Sequence, residues 1–110
     1  MVRLSMVLAV SPNRAPRVMD ALWSLMVPTR LEPGCLLCTA WSEPDSTVHY
    51  LEEWATEQDM QRRVRSDTFT SVLGIVEAAE KTPEVRFDFL SSTRGLDYIT
   101  EIREGGSADR

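Results

Sequence analysis

The segment from residue 47 to residue 89 constrains the fold most, because it combines a strand, an amphipathic helix and a second strand. Residues 48–54 are rich in β-branched and aromatic side chains, which predicts the first strand. Thr56, followed three positions later by Asp59, is close to a capping box and predicts the start of the helix. Pro83 ends that helix, and the alternation of charged and apolar side chains in Glu84–Phe89 predicts a half-buried strand.

The apolar residues between these strands recur at intervals of three and four, as on the buried side of one continuous helix. They are Met60, Val64, Phe69, Val72, Leu73 and Val76. Arg62, Arg63 and Arg65 have acidic neighbours along the same helix, so we expect them to form a solvated helix face.

The residues before this segment predict a second unit of the same kind. Residues 2–10 form a strand that is apolar on one face and partly apolar on the other, as is typical of a central strand. Asn13 is a candidate N-cap that places Pro16 in the first turn of a helix running to about Val27, with Val18, Leu22 and Leu25 facing inward. Residues 35–41 form the next strand, and 43–46 the hairpin loop. The predicted fold is therefore α+β and ferredoxin-like, βαββαβ, with antiparallel sheet order 4-1-3-2 and both helices on one face.

Length and charge exclude several classes of protein. The 110 residues suit one domain, and no internal repeat is present. The net charge is −5 and the 12 Lys and Arg residues are scattered, which argues against a nucleic-acid partner. No apolar run approaches the roughly 20 residues of a membrane span, and the N-terminus leads directly into a strand pattern. We therefore expect no membrane partner and a cytoplasmic location.

Cys35 and Cys38 are the two cysteines, and they lie three positions apart in a predicted strand. Residues three apart in a regular strand point to opposite faces, so the two sulfurs would neither converge on a metal ion nor form a disulfide. We expect buried, unreactive thiols. His49, the one histidine, gives a metal site no further support.

The second face of the sheet predicts a dimer. Both helices cover one face, yet the strand at 35–41 is apolar on both sides. Such a surface would promote association if it were exposed, and two sheets packed face to face around a twofold axis would bury it.

Several motifs together resemble the antibiotic biosynthesis monooxygenase (ABM) family. They are PGCL at 33–36, LEEW at 51–54, RSDTF at 65–69 and PEVRF at 83–87, and the segment 93–99 resembles the C-terminal signature of one branch. The resemblance extends from about Val2 to Arg103. It implies a single domain over 1–103 and a homodimeric α/β barrel. The last residues of the chain, 104–110, are expected to be a disordered tail. Residues 96–102 would form a strand or a helical turn packed on the partner subunit.

The expected site is a cleft between sheet and helices in each subunit. His49 is the default general base, because histidine titrates near neutrality, and Tyr50 and Glu52 are the other catalytic candidates. Trp23, Trp41, Trp54 and Arg63 are the candidate substrate-binding residues. Structural roles compete with these: His49 could lie at the dimer seam, Glu52 could pair with an arginine or a backbone amide across the interface, and Trp54 could pack under the helix.

The resemblance implies a cofactor-independent monooxygenase, with no metal, that acts on a quinol or a polyketide-like phenol. Arg63 and Thr68 stand where many family members have histidines, and Leu73 stands at the position of the iron-ligating histidine of the haem-degrading branch. Leucine cannot coordinate iron, so haem degradation is disfavoured. A non-catalytic ligand-binding dimer, and an oxygen-independent isomerase or cyclase on the same fold, remain the alternatives.

Overall fold

The computed structural model describes residues 1–90, 99–100 and 103–104, and it has the predicted ferredoxin-like plan with the second helix divided in two. The elements in chain order are β1 Val2–Ala9, α1 Ala15–Arg30, β2 Cys35–Ser42, β3 Thr47–Trp54, α2 Glu57–Arg65, α3 Asp67–Val76 and β4 Glu84–Phe89. The sheet is antiparallel with order β2-β3-β1-β4, which is the predicted order read from the other edge.

Strict alternation in β1 and β3 separates the two faces of the sheet. Leu4 and Leu8 of β1 and Val48 of β3 are completely buried, while the residues at the alternate positions of these strands are only partly covered. Leu22 and Met26 of α1 and Val72 of α3 close the core from the helix side. Burying each such aliphatic side chain contributes roughly 1.5–3 kcal/mol, so this helix-covered face supplies most of the stability. The opposite face is called the open face below.

Helix α1 differs from its predicted bounds at both ends. Asn13 does not cap it; Arg14 is the N-cap without a side-chain hydrogen bond, and the Asn13 side chain instead accepts from the Ser11 hydroxyl at 2.8 Å. Pro16 does lie in the first turn. Pro28 does not end the helix, which continues to Arg30. Because Pro28 is on the exposed side, the carbonyl one turn earlier can be hydrated, and the helix tolerates the missing amide.

The predicted continuous second helix is broken at Ser66, whose φ and ψ of −77° and 155° are extended. Thr56 caps α2 as predicted, because its side chain accepts from the amide of Asp59 at 3.0 Å. Ser66 caps α3 in the same way, accepting from the amide of Phe69 at 3.3 Å. The break rotates one half of the helix relative to the other, so Val64 and Leu73 are exposed rather than buried.

A β-bulge between Cys35 and Leu37 contradicts the prediction that the two cysteines point to opposite faces of the sheet. The extra residue places Cys35 opposite Trp54 and Cys38 opposite Glu52, so both cysteines lie on the helix-covered face. Cys38 is buried and Cys35 is partly buried, and both are free thiols. The regular pleat assumed from the sequence fails at this one residue.

Strand β4 is less covered than predicted. Its register places Val85, Phe87 and Phe89 on the same face as the core residues of β1. All three are exposed nonetheless, because α1 packs mainly on β2 and α2 on β3, which leaves this edge of the sheet open. An apolar groove results between α2 and β4.

The remaining sequence predictions concern the chain end and the membrane. Ile99, Thr100 and Arg103 are helical, while the other residues of the segment 96–102 and residues 105–110 of the predicted disordered tail lie outside the described residues. Within the part of the chain that the structure describes, no helix is both long enough and apolar enough to cross a membrane.

Candidate functional site

The helix-covered face carries one cluster of buried polar side chains, centred on Glu52. Its carboxylate accepts hydrogen bonds from the Tyr50 hydroxyl, from Trp54 Nε1 at 2.8 Å and from Arg63 Nη2 at 3.0 Å. Arg63 Nε lies 3.3 and 3.2 Å from the two carboxylate oxygens. Glu52, Trp54 and Arg63 are completely buried and Tyr50 is nearly so. These four residues are called the Glu52 cluster.

The local sequence explains how the cluster assembles. Tyr50, Glu52 and Trp54 occupy alternate positions of β3, so all three side chains point to the same side of the sheet. Arg63 reaches them from the inner side of α2, and its Nη1 donates to Thr68 Oγ1 at 2.8 Å beyond the helix break. The cluster therefore joins β3, α2 and α3. The prediction that Arg63 belongs to a solvated helix face is wrong.

Burial and the charge of Glu52 act together on the pKa values of the acids in this region and in opposite directions on the pKa of Arg63. Burial, together with the neighbouring Glu52 carboxylate, raises the pKa of Tyr50. Burial likewise raises the pKa of the adjacent Cys38 thiol to about 11. Burial disfavours the charged form of Arg63, but the hydrogen bonds and charge of Glu52 outweigh it and raise the Arg63 pKa. Arg63 thus pairs with Glu52 inside the cluster and with Glu32 Oε2 at 3.3 Å at its edge, while Tyr50 and the adjacent Cys38 are neutral acids at physiological pH.

This arrangement is that of a structural ion pair. Both oxygens of Glu52 are occupied by donors, and the carboxylate is sealed from solvent. A base must reach its substrate, whereas these donors compete for the same lone pairs. The structural alternative for Glu52 and Trp54 is supported, with one correction: the arginine that pairs with Glu52 belongs to the same chain.

His49, the third catalytic candidate, lies on the open face of the sheet. Its ring stacks on Trp41 with centroids 4.8 Å apart and an angle of 5° between the planes. Nε2 is buried, and its nearest acidic atom, Glu43 Oε1, is 3.6 Å away, beyond hydrogen-bonding distance. The sheet separates His49 and Trp41 from the Glu52 cluster, so the structure divides the predicted catalytic residues between two faces.

Trp23 belongs to neither group. It is exposed on α1, where the guanidinium carbon of Arg30 lies 5.2 Å from its ring centroid. The seven predicted site residues thus occupy three separate places, and the assignment of catalytic and binding roles to them stays a prediction.

The groove between α2 and β4 is the concave feature best suited to an aromatic ligand. It has a volume of about 350 Å³, within the usual range of small-molecule sites. Its lining residues are Glu57, Met60, Gln61, Val64, Arg65, Phe87 and Phe89. The location between sheet and helix matches the expected cleft, but none of the seven predicted site residues lines it.

The sequence carried a signal for this groove that the helix pattern obscured. Phe87 and Phe89 alternate in β4, and Val64 follows Met60 by four residues, so each pair shares one face of its element. Predicting that these two faces meet, and stay uncovered, requires the position of the helix break. Among the described residues there is no group of three or more His, Cys, Asp or Glu side chains placed to hold a metal ion.

The comparison with protein families decides the identity of the fold. The sequence model of the antibiotic biosynthesis monooxygenase family matches residues 1–73, which is more than half of the chain. This chain belongs to the ABM family. A comparison with curated proteins finds no match.

Solved structures agree with the ABM assignment at the level of the fold. A conserved protein from Methanosarcina mazei Go1 is 26% identical with a TM-score of 0.71, covering 79% of this chain and 89% of its own. A candidate antibiotic biosynthesis monooxygenase from Deinococcus radiodurans is 17% identical with a TM-score of 0.74, covering 86% and 97%. Another from Nitrosomonas europaea is 12% identical with a TM-score of 0.72, covering 84% and 100%.

Proposed function

We propose that this ABM-family chain is a homodimeric monooxygenase that oxidises a quinol or a polyketide-like phenol without a cofactor. The observation that carries the proposal is the α2–β4 groove. Two phenyl rings from β4 face two apolar side chains from α2, which gives a planar aromatic ligand contacts on both sides. The family membership supports the reaction class, and the groove supports the substrate class.

In this reaction the substrate itself supplies the electrons. Its deprotonated form reduces dioxygen, one oxygen atom enters the ring, and the other leaves as water, so that a dihydroxynaphthalene and O₂ give a hydroxynaphthoquinone and H₂O. The groove's role is to hold the anion in apolar surroundings, where polar groups at the rim act strongly on its charge. Glu57 is the rim group that could accept a proton.

The test measures oxygen uptake with naphthoquinols and anthrones, with autoxidation without protein subtracted. Carrying it out under ¹⁸O₂ should place one labelled atom in the product. Absence of enzyme-dependent uptake across this panel would refute the proposed reaction.

A pair of variants ties the activity to the groove. Val64 lines the groove and Leu73 does not, and their exposed fractions are 41% and 44%. A carboxylate at position 64 would be desolvated by an aromatic ligand, so we expect Val64→Asp to lower kcat/KM by at least about tenfold. Leu73→Asp is the matched control and should stay within about twofold of the parent. Equal losses in both variants would place the reaction elsewhere.

A non-catalytic binding dimer is the second candidate, because Glu57 and Arg65 at the rim are exposed and no acid–base pair is buried in the groove. Under this alternative, thermal stabilisation by the same quinols would occur without oxygen uptake. Anaerobic product analysis separately detects an oxygen-independent isomerase or cyclase, which would convert substrate in the absence of O₂.

A further inference from the structure

We propose that the α2–β4 groove selects aromatic substrates that carry a carboxylate at one end and a hydroxyl donor at the other. This inference rests on the proposed function for its reaction and on the groove's own charges for the class of substrate. The two charged side chains that line the groove have opposite signs: Glu57 is acidic and Arg65 is basic.

The positions of these two residues on α2 set the direction of the groove. Glu57 opens the helix and Arg65 closes it. Eight residues of α-helix rise about 12 Å, so the charges stand at opposite ends of a path whose length suits an aromatic of two or three rings. Between them the path is lined by apolar Met60 and Val64 on the helix side, with Phe87 opposite on β4.

The surroundings of the arginines in α2 distinguish Arg65 as the cation available to a ligand. Arg62 pairs with Asp59 at 2.8 Å, and Arg63 pairs with Glu52 at 3.0 Å. Within the part of the chain that the structure describes, Arg65 makes no ion pair and no side-chain hydrogen bond. Its guanidinium is therefore free to bind a carboxylate in a bidentate manner.

The Glu57 end of the groove favours a hydrogen-bond donor rather than a carboxylate. Glu57 Oε2 accepts a hydrogen bond from Gln61 Nε2 at 3.3 Å, which leaves further lone pairs on the carboxylate for a hydroxyl donor. An anion placed here would be repelled. The two ends together favour one orientation of a ligand that is acidic at one end only, and a neutral aromatic gains nothing from Arg65.

The experiment compares two pairs of ligands that differ only in a carboxylate. The substrates are 5,8-dihydroxy-2-naphthoate, which carries the quinol on one ring and the carboxylate on the other, and 1,4-dihydroxynaphthalene, followed by oxygen uptake. The second pair, 6-hydroxy-2-naphthoate and 2-naphthol, is used for calorimetric titration, so binding is measured whether or not turnover occurs. The variants are Arg65→Gln and, as matched control, Arg17→Gln on α1, which packs on β2 at the opposite edge of the sheet.

We expect the carboxylated member of each pair to bind more tightly, and Arg65→Gln to raise its KM or Kd about three- to tenfold while kcat changes less than about twofold. Arg17→Gln should change neither value, and the difference should shrink as salt is raised. Equal KM values for the two quinols, or equal effects of the two variants, would overturn the inference and leave the proposed function standing.

The proposed reaction can also fail while the inference about the ligand class stands. If neither quinol is oxidised, the proposed reaction fails, and the calorimetric pair alone decides the ligand class. An Arg65-dependent preference for 6-hydroxy-2-naphthoate would then support it. Equal affinities, or no binding of either compound, would overturn it.

Discussion

Arg62 and Arg63 are adjacent in α2, yet their guanidinium groups lie in opposite environments. Arg62 is exposed and bonds to Asp59 and to the carbonyl of Pro33. Arg63 is completely buried against Glu52. An exposed pair contributes little because water and salt screen it, whereas removing one partner of a buried pair leaves an uncompensated charge.

We therefore expect Arg63→Ala to lower the free energy of unfolding by about 3–5 kcal/mol, and Arg62→Ala by about 1 kcal/mol or less. Urea unfolding at one protein concentration measures both. The double variant Glu52→Leu/Arg63→Met removes both charges and should recover much of the loss. Similar values for the two single variants would contradict the role given to the Glu52 cluster.

The Cys38 thiol makes the free energy of unfolding depend on pH in the alkaline range. Burial raises the pKa of its thiol from 9.0 to about 11. The folded chain then keeps a proton that the unfolded chain releases, so the free energy of unfolding falls as the pH rises from about 9 to about 11, by up to about 2–3 kcal/mol. Tyr50, whose pKa burial also raises, adds to this decline from about pH 10 upwards, where the unfolded chain's tyrosine begins to ionise.

Unfolding in urea with reductant, at pH values from 8 to 11, should show this decline. It should be shallower in Cys38→Ala, where the titrating thiol is gone. Cys35→Ala is the control, because Cys35 is only partly buried. A decline of the same steepness in the parent and in Cys38→Ala would assign the effect to other groups.

At the scale of elements, two glycines differ in the space that their surroundings leave for a side chain. Gly74 lies inside α3, and an added Cβ would meet no atom within 4 Å. Gly34 precedes β2 with a φ of +86°, and an added Cβ would collide with the side chain of Asp59. Glycine at position 74 therefore only lowers the stability of the helix, whereas position 34 requires glycine.

Gly74→Ala should therefore raise the free energy of unfolding by about 0.5–1 kcal/mol. Gly34→Ala should lower it by more than about 1 kcal/mol, since a left-handed backbone and a steric overlap act together. Thermal and urea unfolding measure both variants. Stabilisation by Gly34→Ala would show that the turn before β2 is not held as described.

The elements also show how much of the fold can be predicted from the sequence. Alternation and helical spacing predicted all four strands and the helix-covered core, because those patterns depend on neighbours a few residues apart. The strand order followed from the βαββαβ succession of elements and its ferredoxin-like plan. The break at Ser66 and the bulge after Cys35 each turn on a single residue. Ser66 followed by Asp67 is itself an N-cap pattern, so that break had a local signal, which the longer apolar spacing outweighed.

The site depends on contacts between elements and was less predictable. Tyr50, Glu52 and Trp54 follow from alternation in β3, but the pairing of Glu52 with Arg63 depends on how α2 is rotated. The groove depends on the same rotation together with the uncovered edge at Phe87 and Phe89. No spacing along the chain encodes either contact.

For the whole molecule, the open face of the sheet is the surface on which the proposed homodimer depends. Leu37 and Trp41 of β2 are exposed on it, and His49 Nε2 is buried there without a hydrogen-bond partner among the described residues. Polar atoms in this state are rare in folded proteins. The exposed Leu37 and Trp41 favour a second copy packed on this face, as the proposed homodimer requires, whereas His49 Nε2 is already covered by its own chain.

Two exposed tryptophans give a matched test of that dimer. Trp41 lies on the open face and Trp23 on α1, with exposed fractions of 46% and 44%. Light scattering after size exclusion at micromolar concentration should give twice the 12.5 kDa of one chain. Trp41→Arg places a charge in the packed interface and should shift the mass towards one chain, because an unpaired charge there is costly. Trp23→Arg should leave the mass unchanged. A parent protein with the mass of one chain, or dissociation by Trp23→Arg alone, would contradict packing through the open face.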